Sequence, residues 1–270
     1  MEHKFLFIIV SFQFVISSLF CQEIRCRIKS DFQEDSTYIR IIETTITEDS
    51  VVNLIFILPV EEYKNQYEYG TGIEECKKIA DSDSMLRNTI FIQPDYIRMP
   101  WYGNHPSNSE IRQLDYTIEV ISHIKLKYSY SDKRIMTYLL GFSKSGWGCM
   151  NIMIRYPSFI DGILLWDSPL STVWNKNWRM EEVFGNEEHF MKNYYLMRPN
   201  AIDFEKLENK KIVIGGYDYF ESQSEAFLQL LDQHGVNYVQ DNSISYPHKW
   251  NKDWIYKLLL YCNLVTRSDK

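Results

Sequence analysis

Glycine and proline are scarce in this chain of 270 residues, at 11 and 8, and nowhere do they gather into a linker or a low-complexity arm. Basic residues are outnumbered too: 29 Lys and Arg against 36 Asp and Glu give a formal net charge of -7. Proteins that grip a phosphate backbone concentrate Lys and Arg on one face, so nucleic acid is not an expected partner. The spacing of the five cysteines matches no zinc pattern. No internal repeat is found, which removes solenoids and propellers. What remains is a chain with 45% hydrophobic residues, enough for one sizeable core in a single domain over residues 22–270.

The N-terminus has the pattern of an address. Met1 to Lys4 carry one lysine, and Phe5 to Phe20 are nearly all apolar, broken only by serines and Gln13. A run of roughly 16 residues falls short of the about 20 that a spanning helix needs. Residues 1–21 are therefore expected to be a signal peptide cut near Ser18 to Gln22, giving a secreted or periplasmic protein without stable membrane insertion. Cys26, Cys76, Cys149 and Cys262 then remain, so one disulfide is possible and none is required.

Apolar runs rich in β-branched residues predict strands at Ile24 to Ile28, Tyr38 to Ile46, Val51 to Leu58 and Asn88 to Gln93. The first two alternate with polar residues, as an antiparallel edge does, whereas Val51 to Leu58 is almost continuous, as a strand buried on both faces is. Downstream the period lengthens. A helix is predicted from Ser109, with Ile111, Leu114, Ile118, Ile121, Ile124 and Leu126 on one broad face, followed by a strand at Ile135 to Leu140 and a helix at Gly146 to Tyr156. Further strands fall at Ile160 to Trp166, Lys211 to Ile214 and Val236 to Gln240, and helices at Glu221 to Gln233 and Trp250 to Tyr261. Strands alternating with helices give a mostly parallel, mixed sheet covered on both faces, an α/β fold. Between residues 168 and 207 the pattern lapses into a segment with Trp174, Trp178, Phe184, Phe190, Tyr194, Tyr195 and Met197. It reads equally as a cap over a site and as an insertion packed by its own aromatics.

Chemistry enters at Gly141-Phe-Ser-Lys-Ser145, which lies between a strand and a helix. Small residues two positions either side of Ser143 let a strained turn present its hydroxyl, the arrangement of a nucleophile elbow. Serine at 145 departs from the usual glycine. A serine hydroxyl needs an imidazole to take its proton, and the amide of Lys144 at the helix start would face the developing oxyanion. A second donor is expected after Val51 to Leu58, where Pro59 bends the chain, from the amide of Val60 or Glu61.

The elbow predicts partners in the order serine, acid, histidine. Ile212 to Asp218 is a strand running into a loop softened by Gly215 and Gly216, and His248 follows the last strand just before the closing helix. Asp218 is the expected acid and His248 the expected base. Asp167, one residue past the strand ending at Trp166, is the rival carboxylate and is otherwise expected to line the pocket or brace a loop. Trp101, Tyr102 and His105 belong to a loop dense in aromatic and polar groups, which reads equally as a source of substrate contacts and as a surface loop packed by its own aromatics.

Taken together, Gly141-Phe-Ser-Lys-Ser-Gly-Trp-Gly148, Met99-Pro-Trp-Tyr-Gly-Asn-His-Pro106 and Trp166-Asp-Ser-Pro169 resemble the secreted, esterase-like serine hydrolases of the α/β-hydrolase superfamily. The resemblance covers most of residues 22–270. It implies a three-layer αβα sandwich, no metal or organic cofactor, and a triad of Ser143, Asp218 and His248. The expected activity is cleavage of a small-molecule or glycan carboxylic ester through an acyl-enzyme on Ser143. An acyltransferase or peptidase using the same triad, and a noncatalytic binding module on the same fold, remain open, as do acyl length and oligomeric state.

Overall fold

The structure, a computed structural model, describes residue 21 and residues 23–47, 51–65, 68–83, 86–129, 133–194, 199–216, 219–243 and 245–264. The expected signal peptide and its expected cut (apart from residue 21), Tyr195, Met197 and Asp218 lie outside the described residues.

Eight strands form one sheet in the order β1-β2-β4-β3-β5-β6-β7-β8. They are β1 Glu23–Ile28, β2 Thr37–Glu43, β3 Val51–Leu58, β4 Thr89–Pro94, β5 Arg134–Phe142, β6 Gly162–Trp166, β7 Lys211–Gly215 and β8 Val239–Asp241. The β1/β2 and β2/β4 pairs are antiparallel and the other five parallel, so the sheet is mixed at one edge, as the alternating pattern there predicts. Helices α1 Gly72–Ser82 and α7 Lys252–Tyr261 cover one face. Helices α2 Gln113–Tyr128, α3 Lys144–Arg155 and α6 Glu221–Gln233 cover the other.

The continuous apolar run of β3 is explained by these two layers. Leu54, Phe56 and Leu58 join the core beneath α2 and α3, while Ile55 and Ile57 join the core beneath α1 and α7, the alternation that a two-residue period imposes. The predicted helix start at Ser109 moves to Gln113. Ile111 and Arg112 are instead drawn into β-bridges with Gln33 and Asn104, which hold the backbone extended up to the helix. The last strand is likewise shorter than its pattern, since Val236 is taken into the core ahead of β8.

Between β6 and β7 the described residues form short helical turns, including α4 Glu181–Phe184 and α5 Glu187–Asn193. Their aromatics pack inward: Phe184, Phe190 and Tyr194 surround Trp147 of α3 with ring centroids 5.3 to 6.1 Å away. Most of the aromatic richness of this segment is thus its own core, which docks it on α3. All five cysteines are free thiols. No described helix is long and apolar enough to cross a membrane.

Candidate active site

The turn from β5 into α3 is strained. Ser143 has φ 52° and ψ -133°, a region a residue with a side chain enters only when its surroundings hold it there. Its amide donates to the Trp166 carbonyl (3.0 Å) and its carbonyl accepts from the Gly146 amide (2.9 Å). The crossing leaves no room for side chains. A Cβ on Gly141 would stand 2.6 Å from the Gly146 nitrogen, and one on Gly146 would stand 1.9 Å from the Ser168 hydroxyl. Ser145, where a glycine is usual, is fully buried, and its hydroxyl donates to the Phe142 carbonyl (2.8 Å) and accepts from the Phe142 amide (2.9 Å). The departure from the motif is a brace on the turn.

His248 reaches this hydroxyl from the loop before α7. Its Nε2 lies 3.2 Å from Ser143 Oγ and its Nδ1 lies 2.6 Å from Asp167 Oδ2. The carboxylate on the imidazole is therefore the one expected to line the pocket, while Asp218 lies outside the described residues. The strand order gives the reason. Asp167 directly follows β6, the neighbour of β5, so serine and carboxylate leave adjacent strand ends. Asp167 is 2% exposed, and its other oxygen accepts from the amides of Tyr219 (3.1 Å) and Phe220 (3.2 Å). The loop after β7 thus brings backbone donors to this carboxylate. A carboxylate fixed by two amides can hold the imidazole's tautomer and stabilise the imidazolium. The rings of Phe142, Tyr219, Phe220 and Tyr69 stand 4.5 to 5.9 Å from that of His248.

The expected oxyanion donors fall on two elements at the same edge of the sheet. Lys144 opens α3, and Val60 and Glu61 follow Pro59 at the end of β3. Tyr102 braces the second: its hydroxyl donates to the Pro59 carbonyl, and its amide (3.0 Å) and that of Trp101 (2.8 Å) both donate to Gln113 Oε1. Tyr102 is fully buried with φ 52°, and its hydroxyl supports the loop from behind. Trp101 is 2% exposed, and its indole nitrogen donates to the Trp178 carbonyl (2.7 Å). The His105 ring accepts at Nδ1 from the Asn108 amide (3.1 Å) inside its own loop, and burial lowers its pKa. These three expected substrate contacts are held in packing and loop bonds because the aromatic loop is anchored to α2 and to the segment between β6 and β7.

Charged side chains act on that of Lys144: Glu61, named above only for its amide, and Glu62 and Arg179, which the sequence did not single out. Its ammonium donates to Met99 Sδ and lies 5.6 Å from the Trp101 ring centre. Burial pulls its pKa down to about 8, against the opposing fields of Glu61 and Glu62. Burial also raises the pKa of Glu61. Arg179 ties Glu62 (2.8 Å) to Glu182 (2.6 Å). Only the adjacency of Lys144 to the elbow could have signalled this cluster. Among the described residues no group of three or more His, Cys, Asp or Glu side chains is placed to hold a metal ion.

No protein-family model matches the chain. No curated protein sequence matches it either. Solved structures do, at low identity. The fluorophosphonate-binding serine hydrolase FphF of Staphylococcus aureus aligns with a TM-score of 0.65 and 15% identity over 92% of this chain and 100% of that one. An S-formylglutathione hydrolase from Agrobacterium tumefaciens gives a TM-score of 0.60 and 11% identity, covering 92% and 95%. A ferulic acid esterase gives 0.59 and 15%, covering 92% and 97%. The chain has the α/β-hydrolase fold, matched over almost its whole length.

Proposed function

We propose that this α/β-hydrolase-fold chain is a serine hydrolase that cleaves carboxylic esters through an acyl-enzyme on Ser143. The observation that carries the reading is the hydrogen-bonded series Ser143, His248, Asp167 at 3.2 and 2.6 Å, with the serine on a strained elbow. In this reading His248 takes the proton from Ser143 as the hydroxyl attacks the ester carbonyl. The tetrahedral oxyanion rests on the amide of Lys144 and on that of Val60 or Glu61. His248 then returns the proton to the departing alcohol, and a water activated by the same imidazole releases the acid. Asp167 orients the ring. The names of the similar structures, serine hydrolases and esterases, favour ester chemistry over a binding role.

Labelling with a fluorophosphonate probe tests the reading. The wild-type protein is expected to label, Ser143→Ala not at all, and Asp167→Asn to label and turn over about ten-thousandfold more slowly, with Asp218→Asn close to wild type. A folded wild type that does not label would favour the noncatalytic module. A greater loss from Asp218→Asn than from Asp167→Asn would return the acid to the loop after β7.

A further inference from the structure

Two side chains beside Ser143 carry charge without a matching partner. Among the described residues no carboxylate oxygen lies within 4.0 Å of the Lys144 ammonium. Its neighbours are a thioether sulfur and the face of Trp101. A thioether is a weak acceptor and an aromatic face satisfies charge, not directed hydrogen bonds. Glu61 is the complement: its Oε2 is buried and has no hydrogen-bond partner. Each feels the other's field, yet they stand too far apart to pair. Arg179 cannot serve Glu61, being shared between Glu62 and Glu182.

We infer that Lys144 and Glu61 form a polar subsite for a hydroxyl on the acyl part of the substrate, with the ammonium donating to that hydroxyl and the carboxylate accepting from it. The inference rests on the serine-hydrolase reading, because Lys144 carries one amide assigned there to the oxyanion and Glu61 is one of the two candidates for the other. A hydroxyl suits this pair because it donates and accepts at once. A carboxylate on the substrate would meet the repulsion of Glu61, and an ammonium that of Lys144. The acyl side follows from chemistry. His248 must reach the leaving oxygen, so the alcohol lies among Tyr69, Tyr219 and Phe220 around the imidazole. The Trp101 ring beside Lys144 is not among the described rings packed against His248.

The test compares phenyl butyrate, phenyl 2- and 3-hydroxybutyrate and monophenyl succinate on the whole chain. At least one hydroxybutyrate is expected to exceed butyrate in kcat/KM by about tenfold or more, the worth of a hydrogen bond to a charged group. Lys144→Met and Glu61→Gln should each shrink that ratio severalfold. Equal rates for butyrate and both hydroxy esters, a preference for the succinate, or a ratio unchanged in both variants would each overturn the subsite. Equilibrium binding of the same esters to Ser143→Ala separates the two readings. Selective binding of a hydroxy ester by that variant, with no hydrolysis by the wild type, would sink the hydrolase and keep the subsite. Hydrolysis without selectivity would do the reverse.

Discussion

Lys144 holds its charge at a cost to the fold. In the unfolded chain its ammonium titrates near the ordinary 10.5, and burial brings it to about 8 in the folded one. Below about 8 both states are charged and the fold bears the whole penalty of the desolvated ammonium. As pH rises from 8 to 10.5 the folded form sheds its proton first, and the penalty fades. Lys144→Met should therefore be more stable than wild type at pH 7, and the difference should shrink by pH 10. The side chain is only partly buried by accessible surface, so the gain is about 1 kcal/mol, or roughly 2 °C in Tm for a chain of this size. Thermal melts at the two pH values check it. A variant less stable at pH 7 would mean that the contacts with Met99 and Trp101 outweigh the desolvation. Stability gained where ligand recognition is lost is the usual sign of a residue kept for function.

The elbow depends on two elements meeting without side chains between them. Ser168 is 2% exposed, its hydroxyl donates to the Trp166 carbonyl (2.9 Å), and its carbonyl accepts from Ser224 of α6 (3.2 Å). It therefore cannot retreat from a methyl group at Gly146. Gly146→Ala should push α3 away from the end of β6 and rotate Ser143 off the imidazole. Overpacking of this kind costs about 1 to 3 kcal/mol, and turnover should fall further than the loss of folded protein accounts for. Melts and kcat measured side by side would show it, and a fully active variant would mean that the crossing is slacker than drawn. At this scale the sequence is legible in part. The strand, small residues and helix around Ser143 announce the turn locally, and His248 is singled out by chain order. Asp167 and Asp218 are not separable that way, because each follows a strand ending in the same sheet. Choosing between them requires knowing that β6 lies beside β5, a long-range fact with no local mark. The packing of Tyr102 has no local mark for a related reason: an aromatic loop looks the same from sequence whether it faces a ligand or props up a neighbouring turn.

Across the whole molecule, the site is held by the centre of the sheet. β3 pairs with β4 and β5 and sends alternate side chains into both cores, so the loop bearing Val60 and the elbow bearing Ser143 are fixed to neighbouring strands. That organisation is the most legible feature of the sequence, since a strand buried on both faces must be apolar throughout and β3 is. The edges are less legible because half-exposed strands carry mixed residues and stop where packing stops, as β8 does. The contrast predicts unequal costs. Phe56, fully buried in mid-strand, should lose about 3 to 5 kcal/mol on truncation to alanine, a large share of the about 5 to 15 kcal/mol that holds a typical domain together. Val239, 36% exposed on the edge strand, should lose about 0.5 kcal/mol or less. Urea titrations of Phe56→Ala and Val239→Ala measure both. Similar midpoints for the two would mean that β3 is not the axis on which the two layers, and with them the elbow and the loop after Pro59, are assembled.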